Sequence, residues 1–225
     1  MSRPEERDVV LEGRGLRVLS TGREVDFSVR GGEAVYLPGG GAGIGVVEGT
    51  MEGGVPWLDG CLGLAAASPG AFLWRGRPWT EFSPDEAAVA RGTAGVVPAG
   101  GGLLMNLDMD ENVWLPARHH GRAGAAADIE SWARFFGCWP LPEVRAGGVT
   151  PEMRQRLAWT RAFAGHPSAV LLEEAAMGTG VAARKDLLEG CRRLLAGGCA
   201  VVWIAPELED EVAVALRPRE VKGWN

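Results

Sequence analysis

Tyrosine is nearly missing from this chain, which carries one against nine tryptophans in 225 residues. Cysteine is sparse too, and Cys61, Cys138, Cys191 and Cys199 form no C-x-x-C pair. That spacing excludes the common zinc frameworks and a disulfide scaffold, so buried free thiols and no metal site are expected. No run approaches the roughly 18 uncharged apolar residues that a membrane-spanning helix needs. Positive charge is in deficit: 23 Lys plus Arg against 29 Asp plus Glu leave a formal net charge of −6, which predicts no nucleic-acid partner. The opening MSRPEERDVV is charged and lacks an apolar stretch, so no secretory leader is expected and the cytoplasm is the expected compartment.

What is abundant is glycine, 34 residues in conspicuous clusters. The length suits one sizeable domain, and no linker or internal repeat divides it. Alternation from Val9 to Val29 predicts one or two strands, and the apolar Ala34-Val35-Tyr36-Leu37 another. The glycine-rich PGGGAGIG, Pro38 to Gly45, follows directly. Further strands are predicted at Ala71–Trp74, Gly95–Val97, Ser168–Leu172 and Ala200–Ala205. Helices are predicted at Ala125–Phe136, from Thr150 through Ala164, and at Val181–Leu195. Thr150-Pro151-Glu152 supplies an N-cap, a proline at the first turn and an early acid. His119 and His120 are placed in a loop after a Leu115-Pro116 turn, as surface residues rather than a metal pair. Strands alternating with helices imply an α/β fold with a largely parallel sheet.

A strand, a glycine-rich turn and a helix suit phosphate binding, because backbone N–H groups and a helix N-terminus attract anions. Alone, that loop reads equally well as a flexible connection. Its company is more specific: SPGAFLWRGRPWTEFSP, GVVPAGGGLLMNLDMDENVWLP, EMRQRLAWTRAFAGHPSAVLLEE and AVVWIAPELED follow in order. The series resembles the ABC ATPase family over nearly the whole chain. EMRQRLAWTRAFAGHPSAVLLEE resembles the helix after the family's signature motif leading into its Walker B strand, through Arg154-Gln155-Arg156 and Thr160-Arg161-Ala162. The resemblance implies a P-loop NTPase core with an antiparallel β subdomain. It also implies a single domain over 1–225, with a helical subdomain inserted at about 98–160 and no C-terminal regulatory domain.

Phosphoryl transfer needs a cation on the β- and γ-phosphates, a held magnesium and an oriented water. The Walker A pattern supplies the first two. Here its first glycine falls on Pro38, its second on Gly43, its lysine on Ile44 and its serine on Gly45. The glycines that would cradle phosphate, Gly39, Gly40, Gly41 and Gly43, remain, without the charge or the magnesium-binding hydroxyl. The resemblance aligns the Q-loop glutamine with Ala99, the Walker B aspartate with Glu173, the D-loop aspartate with Gly180 and the switch histidine with Pro206. Glu174 matches the catalytic glutamate and is the one retention, with a strand-end structural role as its alternative. The signature motif aligns with Val149–Met153, where Pro151 and Glu152 replace both glycines. Thr150 keeps a hydroxyl, and Glu152 is expected to carry a negative charge toward a partner subunit's nucleotide.

These replacements predict a catalytically impaired ABC ATPase-like subunit, a pseudo-ATPase docked on a membrane permease at the inner face of the membrane. A second ABC ATPase subunit is the expected dimer partner. No cofactor is expected, with weak ATP and magnesium binding the open alternative. The stretch Gly102–Pro116 resembles that of subunits serving lipid transport of the MCE/Mla type, and its Leu103, Leu104, Met105 and Leu107 are candidate contacts with the membrane subunit. Packing within the helical subdomain is their alternative. An atypical but active ATPase, and a free-standing regulatory protein with the same fold, remain the competing functional readings.

Overall fold

Three apolar runs, Ala34–Pro38 (β3), Ala169–Glu173 (β7) and Ala200–Ala205 (β8), lie in one sheet, β3 and β7 flanking β8 in parallel. The computed structural model describes residues 8–18, 22–39, 55–121 and 124–221. The parallel sheet has the order β6-β7-β8-β3-β9, where β6 is Ala94–Val97 and β9 is Arg219–Glu220. Its central strands are continuously apolar because both faces are covered. On one face Tyr36, Val97, Val170, Leu172, Val201 and Trp203 pack into a core shared with helices. On the other, Val35, Leu37, Leu171, Val202 and Ile204 join a second core. The alternation is the period of two that strands impose on their side chains.

The second core is closed by an antiparallel sheet of order β2-β1-β4-β5, from Glu24–Arg30, Val9–Arg17, Ala71–Trp74 and Arg77–Pro78. Helices α1 (Trp57–Cys61) and α2 (Pro84–Gly92) lie on this side. The first core holds α3 (Met109–His119), α4 (Ala125–Phe135), α5 (Pro151–Phe163) and α6 (Val181–Ala196), while α7 (Asp210–Leu216) packs on α6. This is the α/β fold expected, with one parallel and one antiparallel sheet. All four cysteines are buried free thiols. Burial pushes each thiol above its ordinary pKa, Cys199 to about 12.

One placement differs from the sequence reading. His119 is the last residue of α3 and His120 caps it, and Pro116 lies inside the helix rather than at a turn. The helix survives its proline because its start is strongly set and one face is held. The Asp108 N–H donates to Glu111 at 2.9 Å, and Met109, Asn112 and Val113 are buried. Besides α3, helices α2 and α7 had no counterpart in the sequence reading. The former starts at a capping box in which the Ser83 N–H donates to Glu86 (2.8 Å) and the Glu86 N–H to Ser83 (3.3 Å).

Helix α5 begins as the sequence predicts. Thr150 is its N-cap, accepting the Met153 N–H at 3.2 Å, and Pro151 is its first residue. Thr150→Ala is expected to cost about 1 kcal/mol of stability, read from the urea midpoint. An unchanged midpoint would mean that packing alone sets the start of α5.

Candidate functional site

Because the five strands run parallel, the segments that follow β3, β6, β7 and β8 all leave from the same edge of the sheet. At the end of β3, the Gly39 N–H donates to the Ala205 carbonyl at the end of β8 (2.7 Å). Gly40, Gly41, Gly43, Ile44 and Gly45 lie outside the described residues.

Between β6 and β7 the arrangement is more telling. The Glu173 carboxylate accepts the Ala99 N–H at 3.0 Å, so the residues expected at the Walker B and Q-loop positions are bonded to each other. Glu174 follows with φ of +47°, in the left-handed region, and its N–H donates to the Ile204 carbonyl at 2.9 Å. Only the surrounding bonds hold a non-glycine residue there. Pro206, exposed just past β8, has no N–H to give.

The loop after β7 is anchored from α5. The Ala175 carbonyl accepts both Gln155 Nε2 (2.7 Å) and Trp159 Nε1 (3.0 Å). At the far end of the loop the Gly180 N–H donates to the Glu152 carboxylate (3.0 Å), which also accepts Arg156 Nε (3.2 Å). Arg156 continues to Asp186 Oδ2 at 2.9 Å. The Gly180 N–H, and then the Arg156 guanidinium, hold the Glu152 carboxyl below the usual carboxylate range. Glu152 is thus engaged within its own chain, with Thr150 and Pro151 committed to the start of α5.

The four candidate contact residues after β6 separate. Leu103 packs against the helix-side core and Leu107 is half-buried, whereas Leu104 and Met105 are 46% and 66% exposed. Asn112, Trp159 and Arg161 were not singled out as site residues from the sequence, yet each holds one of these loops. For Asn112 a signal existed: a lone amide on the apolar i, i+3, i+4 face of Met109, Asn112 and Val113.

Charge sets what this edge can attract. The described segments 98–108, 174–180 and 206–209 contain no Lys, Arg or His and carry Asp108, Glu174, Glu207 and Glu209, of which Asp108 is paired with Arg145 (3.5 Å) and Glu209 with Arg184 (2.9 Å). Among the described residues, no group of three or more His, Cys, Asp or Glu converges as a metal site. A triphosphate brought here would meet carboxylates and backbone amides without a cation in these loops.

No family model matches the chain. It is 31% identical over 205 residues, 86% of its length, to a putative ribose/galactose/methyl galactoside import ATP-binding protein 3 of Agrobacterium fabrum. It is 28% identical over 151 residues, 66% of its length, to Nod factor export ATP-binding protein I of Paraburkholderia xenovorans. The chain spans only 39% and 48% of these two relatives. Among solved structures, an ATP-binding subunit of an ABC transporter superimposes with a TM-score of 0.72 at 21% identity, over 92% of this chain and 82% of that one. A bacterial ABC transporter cassette solved as a dimer gives 0.69 at 16% identity, over 92% and 90%. The fold follows from the structures and the kinship from the sequences: the chain belongs to the ABC-type nucleotide-binding domains.

Proposed function

We propose that this domain is a non-hydrolysing ABC ATPase-like subunit that docks on a membrane transporter, at the inner face of the membrane and beside a second subunit of the same fold. The docking part is supported by kinship to import and export ATP-binding proteins, and the pairing by a solved relative described as a dimer. One observation carries the loss of catalysis. The Glu173 carboxylate, which the family resemblance puts where magnesium would be held, is bonded to the Ala99 N–H, and the described loops 98–108, 174–180 and 206–209 contain no Lys, Arg or His. The residues present do not fit a magnesium nucleotide. Each lost charge-assisted contact costs about 1.5–3 kcal/mol. Three of them, at Ile44, Gly45 and Ala99, move a micromolar affinity to about millimolar or weaker.

Calorimetric titration of the purified protein with Mg-ATP, together with phosphate release, tests this. We expect no saturable binding in the micromolar range and no turnover above background, and Glu174→Gln should change neither. Micromolar, magnesium-dependent binding with turnover abolished by Glu174→Gln would overturn the reading in favour of an active ATPase.

A further inference from the structure

We propose that the loop following β6 is held in one conformation without nucleotide, and that Glu173 is the positioning residue that ties it to the sheet. What the loop's tip touches rests on the docking function proposed above, whereas the tie itself does not.

Three consecutive glycines make this loop intrinsically loose. Gly100, Gly101 and Gly102 have φ of +78°, +85° and +58°, a region glycine enters at no steric cost and leaves as readily. Side chains from three separate elements remove that freedom. From β7, Glu173 takes the Ala99 N–H, one residue before the glycines. From α5, Arg161 donates to the Gly101 carbonyl (2.9 Å) and the Gly102 carbonyl (2.8 Å). From α3, the fully buried Asn112 amide accepts the Leu104 N–H (2.6 Å) and donates to the carbonyls of Leu104 (3.0 Å) and Asp108 (3.0 Å). Leu103 packs inward, which leaves Leu104 and Met105 as an exposed apolar tip on a braced backbone. A tip ordered beforehand spares a partner the entropy of ordering it. Every bond in this set runs between protein groups.

The length of the Glu173 side chain decides the tie. Glu173→Asp is one methylene shorter and withdraws the carboxylate from Ala99, whereas Glu173→Gln keeps an acceptor oxygen at the same reach. Amide hydrogen exchange on the full chain reads this directly. We expect the Ala99–Gly102 amides to exchange about tenfold faster in Glu173→Asp and Glu173→Ala, but less than about threefold faster in Glu173→Gln. Millimolar Mg-ATP should leave the wild-type rates unchanged. A residue acting through its charge would give the reverse order, Asp like wild type and Gln loosened. That order, or exchange altered by Mg-ATP, or an unprotected Ala99 amide in the wild type, would overturn the proposal. A crosslinking arm separates the docking function: the four native thiols are buried, so Met105→Cys presents one addressable thiol. Its crosslinking to an integral membrane chain in native membranes supports the tip as the contact. An absent crosslink with the exchange order intact removes the contact and leaves the tie standing.

Discussion

Replacing Gly95 by alanine is expected to cost at least about 3 kcal/mol, a large share of the roughly 5–15 kcal/mol that holds a domain folded. A Cβ on Gly95, in β6, would lie 1.8 Å from the Ala162 carbonyl oxygen and 2.8 Å from its carbon, both backbone atoms of α5. Backbone cannot rotate aside as a side chain can, so the helix itself must shift. The added methyl suits a strand, so the cost is steric rather than conformational. The consequences reach the site because α5 carries Glu152, Gln155, Trp159 and Arg161, which hold the loops after β6 and β7. Urea denaturation followed by tryptophan fluorescence measures the loss. A loss below about 1 kcal/mol would show that α5 moves away from the sheet at little cost, and that the fit of helix to strand is looser than the contact implies.

Trp159→Ala should be comparably damaging, at about 4 kcal/mol. The indole is fully buried, sits 5.4 Å from the Phe136 ring centre in an edge-on arrangement, and donates to the Ala175 carbonyl. Truncation leaves a cavity in the helix-side core and removes one of the two donors on that carbonyl. The other, Gln155 Nε2 at 2.7 Å, keeps the oxygen from being orphaned. Trp159→Phe therefore isolates the donor and part of the volume, and is expected to cost about 1–2 kcal/mol. Equal losses for alanine and phenylalanine in the same denaturation experiment would assign the effect to the hydrogen bond instead of the packing.

Much of the scaffold was readable one segment at a time. β3, β7 and β8 stand out as short apolar runs because strands covered on both faces leave no polar positions. The start of α5 was readable because its cap, proline and acid act within one turn. Where local rules failed, a longer-range term won. Pro116 signals an ending, yet α3 continues past it because a buried face and a strong start outweigh one missing N–H. α2 was overlooked although its Ser-x-x-Glu cap is a local signal, since no apolar stripe accompanies it: Ala87 and Ala90 are its only buried side chains.

At the site the division is sharper. The order of motifs along the chain points to the family, and the resemblance assigns Ile44, Ala99, Glu173, Glu174 and Pro206 to its site positions as expectations. Residue identity says which charges are missing, since a charge belongs to its side chain wherever the chain goes. Only the tertiary structure decided what the remaining polar groups do. Glu173 turns to Ala99 across 74 residues of sequence, Arg161 reaches back 60 residues to Gly101, and Glu152 finds Gly180 28 residues on. Hydrogen bonds act over about 3 Å, and such distances exist only after the parallel sheet has brought its strand ends to one edge. Net composition and spacing carry no record of that closure, which is why the acidic residues were legible and their partners were not.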